Sequence, residues 1–470
     1  MIEMRLAEVA AVTGGRLHRA TGDEPVTGVE FDSRKVGPGG LFLALPGERA
    51  DGHDFAAAAV AAGASAVLAG REVDAPAVIA PPAEDSFAGT DLGDADPDGS
   101  GAAVLTALGR LARHSVTHLP ELQVVGVTGS SGKTSTKDLI AAVLRPLGET
   151  VAPPGSFNNE LGHPWTALRA GAGTRHLVLE LSARGPGHIA RLCRIAPPRI
   201  GVVLNVGSAH VGEFGSPEAI AQAKGELVEA LPAAADGGVA VLNLHDPRVA
   251  AAASRTAARV VGYGTGGAVE AADVRLEAGR AAFRLVTPAG EAPVALRLVG
   301  EHHVGNALAA AAVALELGGT PEGIAEALSG AGAASRWRME VTDRADGVTV
   351  VNDAYNANPE SMTAALRALV AIGGGKRRTW AVLGPMAELG DTAPAAHAQV
   401  AAAVRELGVD RLVAVGTDLY GTGAVADRDA AAALLAAEVR AGDVVLVKAS
   451  RSAGLDRLAA VLLEQELIRQ

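Results

Sequence analysis

The stretch "VVGVTGSSGKTSTKDLI", residues 124–140, restricts the fold more than any other part of the chain. It opens as an apolar run, the mark of a strand buried on both faces. It turns through Gly129 and Gly132. Leu139, Ile140, Val143 and Leu144 then recur at helical spacing. Strand, tight turn and helix in that order predict one unit of a parallel sheet with helices on its faces. Such a turn aims free backbone N–H groups and the positive end of a helix dipole at an anion. Lys133 would lie against β/γ-phosphates, and the Thr134 hydroxyl could ligate Mg²⁺. The commoner loop spacing is missed: it asks for glycine at the position of Val127, which belongs to the strand. The plainer alternative is a glycine-rich turn with a solvated lysine; the strand and helix on either side favour phosphate.

The α/β alternation continues along the chain. Strands are predicted at 122–128, 176–182, 199–206, 238–244 and 259–264, with helical stretches between most of them. Residues 273–300 read as hairpins, with turn signals at Glu277–Gly279 and Pro288–Gly290. Four further strands follow, "VTVVND", "RTWAVLG", "DRLVAVG" and "DVVLVKAS". The fold class is therefore α/β in three domains. A small N-terminal α/β domain spans residues 1–100, with a mobile Pro/Gly/Asp-rich loop at 83–101. A central domain with a mostly parallel sheet and the phosphate loop spans 101–335. A C-terminal Rossmann-like domain spans 336–470. With 3 Trp, 3 Tyr and 7 Phe, the cores are aliphatic.

Several classes are excluded. A net charge of −12 argues against general binding to nucleic acid or anionic membranes. No run of eighteen uncharged apolar residues predicts a membrane span, and the acidic start "MIEMRLAEVAAVTGG" predicts no secretory signal. Cys193, the only cysteine, rules out an intramolecular disulfide and fits a reducing compartment.

Ligands of open α/β sheets bind beyond the carboxyl ends of strands. Glu180 sits at such an end, a costly place for a carboxylate without a cation. His210 follows the next strand, and Lys224 lies on the amphipathic helix after it. A charged lysine beside a metal would be repelled, whereas one carbamylated by CO₂ would offer a carboxylate. Thr134, Glu180, His210 and Lys224 could thus surround two Mg²⁺ ions. Taken singly, Glu180 could pair with Arg184 or cap a helix, His210 could be a loop histidine, and Lys224 surface charge. Their shared position after successive strands joins them.

At this point the chain resembles the Mur ligases, and among them the D-alanyl-D-alanine-adding branch. "TGSSGKTSTKDL" is similar to the family's ATP loop. "SFNNELGHPWTAL", "NVGSAHVGEFGSPEAIAQAKGEL" and "NDAYNANPESMTAAL" resemble three further family segments. "FDSRKVGPGGLFLALPGERADGHDF" is similar to its UDP-sugar-binding part. The likeness runs in order along nearly the whole chain. Two positions depart from the family's usual form: Pro385 in Gly384-Pro385-Met386, and Ala449 in Lys448-Ala449-Ser450-Arg451.

The resemblance implies an ATP-dependent amide ligase of peptidoglycan synthesis, cytoplasmic and monomeric. It would join D-alanyl-D-alanine to UDP-N-acetylmuramoyl-tripeptide through an acyl phosphate. Thr128, Gly129, Ser130, Ser131, Gly132, Lys133, Thr134 and Ser135 would hold ATP. Asn306 would contact adenine. Arg338, Asp353, Tyr355 and Asn356 would approach the nucleotide as the C-terminal domain closes. Ser33, Arg34, Asn158, Asn159, Asn358, Lys448, Ser450 and Arg451 would serve the other substrates. Lys133, Glu180, His210 and Lys224 would be catalytic. The rivals are another amide ligase of the same superfamily, including folylpolyglutamate synthase, and an ATP-binding scaffold that has lost catalysis.

Overall fold

The computed structural model describes residues 1–47, 50–83, 87, 96–207 and 211–464. The mobile loop expected at 83–101 and the His210 assignment lie largely or wholly outside the described residues. The chain forms two compact units. The first comprises Met1–Gly126, Gly148–Leu181 and Ala190–Pro198, and the second Val127–Leu147, Ser182–Ile189 and Arg199–Gln470.

In the first unit, five strands form one sheet: β1 (Arg16–His18), β2 (Gly28–Glu30), β3 (Gly40–Leu43), β4 (Ala66–Ala69) and β5 (Ala77–Ile79). Their order is β1-β5-β4-β3-β2, parallel except for β1 against β5. Phe42, Val67, Ala69 and Ala77 bury one of its faces against the helix Ala56–Ala61. The helix Ser100–Thr117 is the first long helix, and 13 of its residues are buried. β6 (Gln123–Thr128) carries the boundary between the units, with β7 (Thr150–Val151) and β8 (His176–Glu180) following in the first. The order there is β6-β8-β7, with β7 parallel to β8.

In the second unit, β9 (Ile200–Val203), β10 (Val239–Asn243) and β11 (Arg259–Tyr263) extend from the end of β6 in the order β6-β9-β10-β11. β10 is parallel to both its neighbours. The helix Lys133–Leu144 leaves the loop after β6 and packs against the helix His303–Glu316. The hairpins expected from the turn signals are β12 (Glu270–Glu277), β13 (Arg280–Thr287) and β14 (Gly290–Val299), an antiparallel sheet. A last sheet holds β15 (Glu340–Asp343), β16 (Thr349–Asp353), β17 (Thr379–Leu383), β18 (Arg411–Val415), β19 (Ala424–Val425) and β20 (Val444–Lys448). Its order is β15-β16-β20-β17-β18-β19, and only β15 is antiparallel. Two buried aliphatic clusters, built around Leu366 and Val445, cover the faces of this sheet. β16, β17 and β20 are buried throughout; β17 and β20 read as mostly apolar runs, whereas β16 has only Val350 and Val351 before the buried Asn352 and Asp353.

Leu366 lies on the helix Pro359–Gly373 and is fully buried in the first of these clusters. Leu366→Ala removes its apolar contacts and leaves a cavity, so it should cost about 2–5 kcal/mol. Urea unfolding followed at Trp380, buried in the same sheet, would read this as a lower midpoint for the C-terminal transition. An unchanged midpoint would mean that this cluster does not hold the sheet.

Candidate active site

The loop after β6 is held by its own unit. Asn205, just past β9, accepts from Ser131 N at 2.9 Å through Oδ1 and donates from Nδ2 to Ser131 O at 3.1 Å. Ser130 N donates to Asn205 O (3.1 Å), and Gly207 N donates to Ser130 Oγ (2.9 Å). Thr128 receives Leu204 N on its carbonyl. Asn205 escaped the sequence reading, although it stands at a strand end as Glu180 does.

Gly132 is glycine for two reasons. Its φ is +80°, and a Cβ there would come within 3.0 Å of Asn306 Oδ1. Gly129 has no room either, since a Cβ would lie 2.9 Å from Leu204 Cβ. The helix begins at Lys133, so its unbonded N–H groups open at the loop. Asn306, expected at adenine, lies beside Gly132 and donates to His303 Nδ1 at 3.3 Å. His303 is fully buried, and burial pushes its imidazole well below the usual range.

The loop's cationic and hydroxyl groups have protein partners. Lys133 Nζ donates to Gly129 O at 2.7 Å. Arg338 donates from Nη2 to Thr134 Oγ1 at 3.1 Å, and its guanidinium stands 4.1 Å over the Tyr355 ring. Trp337 stacks on Tyr355, and Arg451 covers Trp337 at 4.2 Å. Trp337 and Met339, on either side of Arg338, are left-handed at φ +60° and +49°. Neither is a residue type that favours this region. Met339 N donates to Asp353 Oδ1 (3.0 Å), and Trp337 N to Glu340 Oε2 (3.2 Å).

Asp353 ends β16, and its Oδ2 accepts from Lys448 Nζ at 2.6 Å. Lys448 also donates to Asn356 O at 2.8 Å. The pair is buried, and burial lowers the Lys448 ammonium although Asp353 opposes the shift. Asn358 caps the helix Pro359–Gly373 through Ser361 N. Ser450 Oγ accepts from Ala387 N, and Ser450 N donates to Pro385 O. Lys224, on the helix Pro217–Glu229, is buried. Burial first, and repulsion by Lys133 second, hold its amine well below the ordinary lysine range.

The first unit gathers another set. Glu180, at the end of β8, is buried and accepts on Oε1 from Ser156 Oγ (3.0 Å) and Asn158 Nδ2 (2.7 Å). Asn159 Oδ1 accepts from Gly162 N and starts the next helix. Phe31, Phe157 and Trp165 form one aromatic cluster, with centroids 4.9–6.0 Å apart. It ties the segment carrying Ser33 and Arg34 to the one carrying Asn158. Arg34 is exposed and holds the Asp32 carboxylate through two N–H groups, keeping that acid down at about 2.

Among the described residues, no three His, Cys, Asp or Glu side chains gather as a metal cage. A hydroxyl and a lone carboxylate suit Mg²⁺, which keeps several waters and takes substrate phosphates as ligands. Thr134, in the second unit, has a hydroxyl and Glu180, in the first, a buried carboxylate, each a group of the kind Mg²⁺ accepts.

Three consecutive parts of the chain match sequence models of Mur ligases. Residues 25–88 match the Mur ligase family catalytic domain, 127–314 the Mur ligase middle domain, and 337–451 the Mur ligase glutamate ligase domain. The chain is 53% identical to the UDP-N-acetylmuramoyl-tripeptide–D-alanyl-D-alanine ligase of Mycobacterium tuberculosis (strain ATCC 25618 / H37Rv), over 99% of each chain. It superposes on the crystal structure of MurF from Acinetobacter baumannii with a TM-score of 0.85 and 30% identity, over 98% of this chain and 99% of that one. The MurF ligase from Thermotoga maritima in complex with ADP gives a TM-score of 0.77 at 29% identity, over 93% and 97%.

His163, four residues from Asn159, is fully buried, and burial pushes its imidazole down to about 4. The unfolded chain takes up this proton near the ordinary value of 6.5 and the folded chain only near 4. Stability from this group is therefore complete above about pH 6.5 and falls as pH drops towards 4, by roughly 3 kcal/mol in all. Melting temperatures measured between about pH 7.5 and 5 should fall less steeply in His163→Leu than in the parent chain. Parallel curves would remove His163 from the account.

Proposed function

The chain belongs to the Mur ligase family, and we infer that within it the protein is the ATP-dependent ligase that joins D-alanyl-D-alanine to UDP-N-acetylmuramoyl-tripeptide. The single observation that carries this reading is the loop Thr128–Thr134, braced by Asn205, within a chain 53% identical to such ligases end to end. The products are the pentapeptide precursor of peptidoglycan, ADP and phosphate. In this reading residues 1–100 bind the UDP-sugar, 101–335 bind ATP and Mg²⁺, and 336–470 close over the nucleotide and dipeptide. The enzyme works in the cytoplasm as a monomer. Among the described residues no helix is long and apolar enough to cross a membrane.

The chemistry begins with two anions. The terminal carboxylate of the tripeptide attacks the γ-phosphorus of ATP, and the bond to the ADP oxygen breaks. Backbone N–H groups at the helix start and the Lys133 ammonium face the charge that grows in this step. Lys133 must turn from Gly129 O towards the phosphates. Arg338 must release the Thr134 hydroxyl before that oxygen can serve a cation. Thr134, Glu180, His210 and a carbamate of Lys224 would hold two Mg²⁺ ions, which offset phosphate charge when bound. The acyl phosphate is then attacked by the free amine of D-alanyl-D-alanine. The tetrahedral adduct collapses to the amide and releases phosphate. Asn158 and Asn159 would face the muramoyl-peptide, Asn306 the adenine. Arg338, Asp353, Tyr355 and Asn356 would complete the nucleotide site. Ser33, Arg34, Asn358, Lys448, Ser450 and Arg451 would take the remaining substrate contacts.

The surroundings of Lys224 push it towards the form that carbamylation needs. CO₂ adds only to a neutral amine, and burial together with Lys133 favours that form. The N–C bond forms, one proton leaves, and the product is an anion. Repulsion between Lys224 and Lys133 then becomes attraction.

Phosphate release from ATP should require UDP-N-acetylmuramoyl-tripeptide and D-alanyl-D-alanine together. Release driven by folate and glutamate, by another muramoyl acceptor pair, or without substrate would overturn the assignment. In the same assay Lys133→Ala should lose at least about a hundredfold in rate. Lys224→Ala should be inactive, with part of its activity restored by short carboxylic acids that replace a carbamate. Full activity of Lys224→Ala in bicarbonate-free buffer would exclude the carbamate.

A further inference from the structure

A cavity of about 550 Å³ lies in the first unit. The helix Ser100–Thr117 forms its floor, with Leu105, Thr106 and Gly109. Val12, from the helix Leu6–Thr13, and Ile195, from the helix His188–Ile195, wall it on two sides. Its size is that of small-molecule sites, which range over about 300–1,000 Å³.

Among the described residues, Arg110, Arg113, Arg191 and Arg194 line the cavity against one carboxylate, Glu160. His114 also lines it, its imidazole lowered by burial first and by repulsion from His118 second, against the pull of Glu8. This is a cationic patch in a chain of net charge −12. Among the described residues, Arg110, Arg113 and Arg194 have no carboxylate partner. Arg110 gives one N–H to Thr13 O (2.8 Å), and Arg113 gives one to Arg194 O (3.1 Å). Each guanidinium has five N–H donors, so most remain available. Arg110 and Arg113 are one helical turn apart, as are Arg191 and Arg194, and the two pairs face the cavity from two helices. Arg191 is further fixed by its stack on the Phe87 ring, 4.8 Å away.

An apolar floor beneath a rim of guanidinium groups suits one chemical class. We propose that this cavity binds an amphiphilic anion, an alkyl or aryl body with a phosphate or carboxylate head, at a site separate from the substrates of the ligase reaction. The body displaces water from Leu105, Val12 and Ile195, and the head takes charge-assisted hydrogen bonds from Arg113 and Arg194. The site brings together residues of the helices Leu6–Thr13, Ser100–Thr117 and His188–Ile195, so an occupant would clamp these three together.

The test is calorimetric titration of the full chain with decyl phosphate, beside 1-decanol and inorganic phosphate. One-to-one binding of decyl phosphate alone is expected. The double variant Arg113→Ala/Arg194→Ala should weaken it by about tenfold or more. Thr106→Trp should fill the cavity and abolish it. If Thr106→Trp lowers the melting temperature markedly, the double variant carries the test. Equal binding by 1-decanol, or full binding by the double variant, would overturn the proposal, as would no binding of decyl phosphate. Flotation with phosphatidylglycerol vesicles, lost in the double variant, would identify lipid as the source of the anion. Decyl phosphate binding without flotation would identify a soluble compound.

Discussion

The two hydrogen bonds between Asn205 and Ser131 fix the shape on which the rest of the site depends. A phosphate loop is useful only if its N–H groups already point at the anion, because ordering them at binding would subtract from affinity. Asn205 uses both halves of its amide, so the loop is closed from the neighbouring strand rather than from within. Gly132 completes the turn in a left-handed conformation, with Asn306 packed where a side chain would begin. Loop and sheet therefore form one rigid object, and the helix Lys133–Leu144 starts in a fixed direction. Removing either partner would take a hydrogen bond from a part-buried group, a loss of about 1 kcal/mol.

Around this rigid loop the positive groups are held by weaker and more local contacts. Lys133 folds back on Gly129 O, and Arg338 bonds the Thr134 hydroxyl. Both of these hydrogen bonds go to neutral oxygens, and charged phosphate oxygens make stronger ones. Arg338 is placed by backbone as much as by its own bond. Left-handed Trp337 and Met339 cost on the order of 1–3 kcal/mol each. Such strain persists only where the surroundings over-determine it. Here the N–H groups of Trp337 and Met339 are bonded to Glu340 and Asp353, and the Trp337–Tyr355 stack fills the remaining side.

Much of this was legible in the sequence, for a definite reason. Strands buried on both faces leave unbroken Val/Leu runs, so β6, β8, β9, β10, β16, β17, β18 and β20 were found to within a few residues. β7, β15 and β19 were missed because edge strands of two to four residues leave no such run. The places of the loop residues and of Glu180 at strand ends were legible because those strands leave clear apolar runs before them. Asn205 obeys the same rule and was passed over, since an amide at a strand end costs less than a carboxylate and attracts less notice. The left-handed Trp337 and Met339 leave no trace, as neither residue type signals that conformation. Nothing in the sequence singles out Arg110, Arg113, Arg191 and Arg194, which the fold brings from two helices around one cavity.

The Asp353–Lys448 pair shows why a buried charge need not be there for stability. Burying such a pair gains little over apolar residues of the same size, because both ions lose their water. What the pair supplies here is register. Asp353 commits Oδ1 to Met339 N and Oδ2 to Lys448 Nζ, and Lys448 also holds Asn356 O. One carboxylate thus joins the segment bearing Arg338, the end of β16 and the turn of Tyr355 and Asn356. From there the path continues through Arg338 to Thr134. Thr134, Arg338, Asp353 and Asn356, expected at the nucleotide, are far apart in sequence, yet they share this one chain of contacts. An apolar pair could fill the same volume. It could not dictate which backbone N–H and which carbonyl face it, and that choice is what aims Arg338 at the loop.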